Sequence, residues 1–216
     1  MLLFDLLLNI GLISYYIPFL YILYYLFNKK NNKLTVFDRL LFFYITYNGI
    51  IVIIEQFVLN GRINNFNPIY NIISIIDFCS IIAIFKEILK EVDEKLLKIL
   101  KFLILIYPFF SIFELIFVND LFSINIYSNN ISKSLIIIIS SIIIYLSEFR
   151  INISKSQKIF TYTVFIYSIL TLPIGLFEQF IRHNTSDYFH ILWSLNILFV
   201  IFYNLLLTLS LWKLKK

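Results

Sequence analysis

Apolar runs of about 20 residues, separated by short polar connections, recur seven times in this chain, and that recurrence leaves few folds open. A run of this length crosses the hydrocarbon of a bilayer as a single α-helix, which satisfies its own backbone polar groups internally. The runs fall at residues 6–27, 37–59, 68–88, 99–118, 131–149, 159–180 and 188–212. With 60% hydrophobic and 14% charged residues, nothing is left over to build a soluble domain. The expectation is an all-α polytopic membrane bundle of seven transmembrane helices, with residues 1–216 forming one domain.

The basic residues set an orientation for that bundle. No Lys or Arg precedes the first run, Asp5 does, and no small-residue cleavage site follows, so the run does not read as a cleaved leader. One set of connections carries Lys29, Lys30, Lys33 and Arg39, then Lys86, Lys90, Lys95, Lys98 and Lys101. It also carries Arg150, Lys155 and Lys158, and finally Lys213, Lys215 and Lys216. The opposite set has only Arg62, Lys133 and Arg182, so 15 of the 18 basic residues lie on one side. Basic connections stay in the cytoplasm, which predicts an external N-terminus and a cytoplasmic C-terminus. The scarcity of alanine and glycine beside abundant Ile, Asn, Lys, Phe and Tyr suggests an AT-rich bacterial gene, hence a bacterial inner membrane. The net charge of +5 is a topology signal and points to the lipid bilayer as a partner, not to nucleic acid. Between Lys86 and Lys101, Glu91 precedes Lys95 and Glu94 precedes Lys98 by four residues, the favourable order on a helix surface. This predicts that the third helix continues into water there, as a face for a cytoplasmic signalling partner.

Polar residues recur within the runs at helical spacing. In the last, His190, Ser194, Asn204 and Thr208 share a face, with Trp193 and Asn196 beside it. Similar seams run through Tyr44, Asn48 and Glu55; through Asn71, Ser74, Asp77 and Ser80; and through Tyr107, Ser111 and Glu114. The fifth run aligns Ser134, Ser141 and Glu148, and the sixth aligns Ser168, Thr171, Gly175 and Glu178. Such seams imply a polar interior inside an apolar shell, with the serines and threonines expected to hydrogen-bond helix to helix.

The acids divide into two groups. Asp5, Glu55, Glu114 and Glu178 fall within about a turn of the external surface, at the depth of His190, where they either reach interfacial water or share an outward-facing pocket. Asp77 lies near the middle of the third run, where an unpaired carboxylate costs roughly 2.5–3.5 kcal/mol. No Lys or Arg is expected at its depth, so Asp77 is expected to be protonated or bonded to Asn196 or Asn48. The candidate ligand-binding set is therefore Glu55, Asp77, Glu114, Glu178, His190 and Asn196. A weak repeat adds to it: Glu55-Gln56-Phe57 and Glu178-Gln179-Phe180 each end a run, and Asn71/Asp77 and His190/Asn196 follow at equal spacing.

Several chemistries are argued against. A retinal-type site needs a lysine inside the last span, and Lys213 lies past its end. Two histidines, one in a connection, are too few for an intramembrane zinc hydrolase, and the single Cys79 excludes a cysteine metal site. Ser140 and Ser141 lie far in depth from His190, the available base. The Pro-Gln loops of seven-span sugar carriers are absent. No cofactor is implied.

The run His190, Trp193, Ser194, Asn196, Asn204, Thr208, Trp212 and Lys213, with the acidic third span around Asp77, resembles short seven-span bacterial membrane proteins of unknown function. That family often has a histidine in the third span where this chain has Asn71. Its members are often encoded near sensor kinases, so the resemblance implies signalling and brings no biochemical activity. The expected function is thus a non-enzymatic receptor-like or sensory module with an outward-facing polar pocket. The alternatives are a proton- or cation-coupled small-molecule transporter and a carboxylate-dependent intramembrane lipid hydrolase, similar to the lysoplasmalogenase type.

Overall fold

The computed structural model describes residues 2–28, 34–59, 67–90, 92, 94–118, 126–184 and 186–215. They form seven α-helices: α1 (Leu2–Asn28), α2 (Val36–Leu59), α3 (Asn67–Leu89), α4 (Glu94–Phe117), α5 (Ile126–Phe149), α6 (Lys155–Asn184) and α7 (Ser186–Trp212). The chain is all-helical, and six of the helices are long and apolar enough to cross a membrane. The other is α3, which has the length but carries Asp77, Lys86 and Glu87.

Helix starts are set by side chains that engage backbone amides left open in the first turn. At α2, the Thr35 amide donates to Asp38 Oδ2 (2.9 Å) and the Asp38 amide donates to Thr35 Oγ1 (3.1 Å), a reciprocal capping box. The start of α6 repeats the device, with Ser154 and Gln157 exchanging bonds of 2.8 and 3.2 Å. Pro68 occupies the second position of α3, where its missing N–H costs nothing.

The start of α5 is held from a distance. Glu114, near the end of α4, accepts the Tyr127 amide on Oε1 (3.0 Å) and the Ser128 amide on Oε2 (2.6 Å), and the Ser128 hydroxyl also donates to Oε2. Glu114 is 2% exposed, so it serves as a buried anionic cap for the N-terminus of the next helix. This explains why α5 begins at Ile126, five residues before the apolar run that marks it in the sequence.

The charged segment between Lys86 and Lys101 is not one water-exposed extension of the third helix. α3 ends at Leu89, the Val92 amide closes a turn on the Leu89 carbonyl (3.0 Å), and α4 begins at Glu94. Val92 packs against the apolar core, which brings the chain back to the bundle after one turn. The spacing of Glu94 and Lys98 is indeed helical, but on α4.

Each helix packs against the next, and α1 closes on α7; α3 and α5 also touch, which places α4 outside their junction. Alternating direction brings Thr35, Glu87, Lys90, residues 151–154 and Lys213 together around one cleft of about 470 Å³ at a single, lysine-bearing end. At this end the interior is plugged by aromatics. Phe160 of α6 is fully buried and meets Phe37, Tyr44 and Phe85 edge-on, at centroid distances of 6.3, 6.4 and 6.1 Å.

Many hydroxyls in the seams donate within their own helix, and some of these, such as Ser74 and Ser132 with Tyr107 of α4, also bond across to a neighbour. Ser14, Ser74, Ser132, Ser134, Ser140, Ser147, Thr161, Thr163, Thr171 and Thr208 each donate to a carbonyl three or four residues back. That carbonyl lies within reach of any Ser or Thr on a helix, so no partner helix is required. Cross-helix bonds are fewer: Asn204 Nδ2 donates to Ser14 Oγ (2.9 Å), and Ser156 pairs with Ser210. On α5 the inward face holds Ser128, Ser132, Ser140 and Ser147. Ser141 and Glu148 face outward, and Glu148 meets Lys158 at 3.0 Å, so the seam through Ser134, Ser141 and Glu148 is not the interior one.

Replacing Glu114 strands the buried amide and hydroxyl of Ser128 and the part-buried amide of Tyr127. Glu114→Ala is expected to destabilise the protein by about 3 kcal/mol or more, against about 1 kcal/mol for Ser128→Ala, read as the denaturant midpoint of purified protein in micelles. Equal effects of the two substitutions would show that the carboxylate is not the cap.

Candidate functional site

Above the aromatic plug the ring of helices opens into a cavity of about 160 Å³ bounded by five of them. α3 supplies a stripe, Tyr70, Ser74, Asp77 and Ile81, whose spacing of four, three and four keeps it on one face. At 1.5 Å per residue the stripe runs roughly 16 Å along the axis, from the first turn of α3 to its middle. α5 contributes Asn129, Ser132 and Lys133; α6 contributes Tyr167 and Ser168; α7 contributes Asn196 and Tyr203; and Tyr44 of α2 lies at the floor.

The floor is a tyrosine cluster. The Tyr44 and Tyr203 hydroxyls are 2.7 Å apart, both residues are buried, and the Tyr167 ring packs on Tyr203 with centroids 4.3 Å apart. Asp77 is close enough to the hydroxyls of Tyr44, Tyr47 and Tyr203 to act on them electrostatically. Asp77 is itself engaged by its surroundings, while its Oδ1 atom is buried and accepts no hydrogen bond. Tyr47 donates to the Ile73 carbonyl (3.3 Å), tying α2 to α3 one turn from Asp77.

No Lys or Arg was expected at the depth of Asp77; Lys133 lines the same cavity, and its Nζ donates to the Thr171 carbonyl of α6 at 3.2 Å. The earlier start of α5 is the reason: Lys133 is two turns inside the helix, not at its mouth. A Cβ on Gly175 would lie 2.5 Å from Asn130 Oδ1 and 3.6 Å from Lys133 Nζ, so the absence of a side chain there lets α5 set these polar groups against α6.

A second cavity of about 210 Å³ adjoins the first and shares Tyr70, Tyr167 and Asn196 with it. Its remaining walls come from α1 and α7: Leu8, Gly11, Leu12 and Tyr15 face Trp193, Ile197 and Val200. Among the described residues no charged side chain lines it, whereas Asp77 and Lys133 are the described charged residues of the first.

Of the six candidates, Asp77 and Asn196 are brought to one cavity. Asn48 turns away, donating to the Tyr44 carbonyl of its own helix at 2.9 Å. Glu114 is placed at the α5 cap, with both oxygens occupied. Glu55, Glu178 and His190 belong to α2, α6 and α7, but their side chains lie outside the described residues, as does that of Asp5. Lys133, Tyr70, Tyr167 and Tyr203 were not among the candidates. Tyr70 was readable, because it continues the Ser74 and Asp77 stripe by one turn. Lys133 was not, because its depth depends on a cap set by another helix. No protein-family model, curated protein or solved structure matches the chain.

The Tyr44–Tyr203 contact can be weighed by a double-mutant cycle. Tyr203→Phe leaves the Tyr44 hydroxyl buried without this partner and is expected to cost about 1–3 kcal/mol. With Tyr44→Phe added, the total should fall short of the sum by about 1 kcal/mol, measured by chemical unfolding in micelles. Strict additivity would mean that the hydroxyls do not interact.

Proposed function

We propose that the chain is a multi-pass, non-enzymatic, receptor-like membrane protein that binds a small polar ligand in the cavity around Asp77. The observation that carries this reading is the meeting of Asp77, Lys133, Asn196 and a tyrosine cluster in one interior space. A polar chamber inside an apolar shell is costly to maintain, and groups of this kind at membrane depth are by default functional.

In this reading all seven helices cross the bilayer, with α3 as the central span. α3 packs against α2, α4 and α5, nine of its residues are buried, Asn71 among them, and Tyr70, Ser74 and Asp77 line the cavity between helices. The lysine-bearing end faces the cytoplasm by the distribution of basic residues, so the cavity lies toward the external face with the aromatic plug beneath it. The cleft at the cytoplasmic end, lined by Glu87, Lys90, Asn152 and Lys213, takes the place of the supposed helical extension as the face offered to a signalling partner. The resemblance to short seven-span bacterial proteins encoded near sensor kinases agrees with this assignment.

A carrier is the second reading, favoured by the mid-helix position of Asp77 and the contribution of five helices to one cavity. The lipid-hydrolase reading has less support, since Glu114 has both oxygens committed to α5.

Accessibility separates these readings without knowledge of the ligand. In a Cys79→Ser background, Asn196→Cys is expected to react with a membrane-impermeant thiol reagent in right-side-out vesicles and not in inverted ones. Labelling from both sides would favour the carrier. Protection on both sides would overturn the cavity as a ligand site.

A further inference from the structure

The two adjoining cavities differ in a way that specifies a class of ligand. Among the described residues the chamber around Asp77 holds one carboxylate and one ammonium, Asp77 and Lys133, and its remaining polar groups are uncharged hydroxyls and amides. The formal charge of these described side chains is zero, whether the two charges face each other or face a guest. In a low-dielectric interior a guest with net charge would leave an uncompensated charge behind, and such charges are penalised far more heavily than in water. A guest carrying both signs can present an amine to Asp77 and an acid to Lys133 without changing the total. The tyrosines suit the same guest, because their hydroxyls can donate or accept and their ring faces attract an ammonium group.

The adjoining lobe is different. Leu12, Ile197, Val200 and Trp193 give it an apolar wall, and no charged side chain among the described residues lines it. Tyr70, Tyr167 and Asn196 form the wall common to both lobes, so a molecule lying across them would place a polar head and an apolar tail in contiguous space.

We infer that the paired cavities bind a small zwitterion bearing an apolar group, the chemistry of a hydrophobic α-amino acid, with the head between Asp77 and Lys133 and the tail between α1 and α7. This rests on the reading of the Asp77 cavity as a ligand site and gives that ligand a class.

The test uses the full-length protein in nanodiscs and a panel that separates the features. L-phenylalanine carries both charges and a tail, phenethylamine only the amine and tail, hydrocinnamate only the acid and tail, and glycine only the charges. Binding is followed by thermal shift and by Trp193 emission, isolated with Trp212→Phe. L-phenylalanine is expected to bind at least tenfold more tightly than each of the others. Asp77→Asn should weaken L-phenylalanine by tenfold or more while leaving hydrocinnamate unchanged or tighter, and Lys133→Met should do the reverse with phenethylamine. Val200→Phe, which fills the apolar lobe, should weaken L-phenylalanine and spare glycine. If either singly charged compound binds the wild-type protein as tightly as L-phenylalanine, or if none of the panel binds, the zwitterion assignment is overturned. The thiol-labelling result then decides separately whether the cavity is open to ligands at all.

Discussion

Hydrocarbon offers a polar group no partner, and most of the described polar side chains in this bundle are placed accordingly. Many Ser and Thr hydroxyls meet part of the demand locally, by bonding to their own helix one turn back, while Ser156 and Ser210 meet across α6 and α7. Direction comes from groups that cannot satisfy themselves locally. Glu114 needs several donors and finds them at the start of α5; Asn204 reaches α1; Tyr44 and Tyr203 meet across the interior. A few demanding side chains thus orient helices whose surfaces are otherwise nearly uniform Ile, Leu and Phe.

The same demand accounts for the place of α3. It carries Asp77 near its middle, and it packs against three other helices, α2, α4 and α5. Below Asp77 the interior is filled by rings around Phe160; above it, side chains with hydrogen-bonding ends leave space between them. The interior is therefore asymmetric along the bundle axis, dense at the lysine-bearing end and hollow toward the other.

Helix number and approximate extent were legible in the sequence, because runs of about 20 apolar residues admit few other conformations. Asp77 and Asn196, both picked out by their polar character within apolar runs, line one cavity. What escaped the sequence was set by contacts between distant residues. The start of α5 depends on Glu114, 12 residues upstream and on another helix, and an error of five residues there was enough to leave Lys133 outside the interior. The break between α3 and α4 was hidden for a different reason: charge pairs four apart support a surface helix whether it prolongs one span or begins the next. Tyrosine was underread throughout, since in a chain with 15 of them an interior cluster carries no compositional mark.

The contact between Asn204 and Ser14 joins residues 190 apart in the chain, and it lies in the seam where α1 meets α7. During synthesis at about 5–20 residues per second, α1 therefore waits roughly 10–40 seconds in the membrane before its closing neighbour exists. Ser14 is equipped for that interval, because its hydroxyl donates to the Gly11 carbonyl at 2.6 Å and is satisfied with no other helix present. Asn204 arrives last, with an amide that needs an acceptor, and Ser14 Oγ still has lone-pair capacity to offer. The ring is thus closed by an acceptor held ready at the beginning of the chain and a donor delivered near its end, which makes completion of the bundle a report that every intervening helix has been inserted.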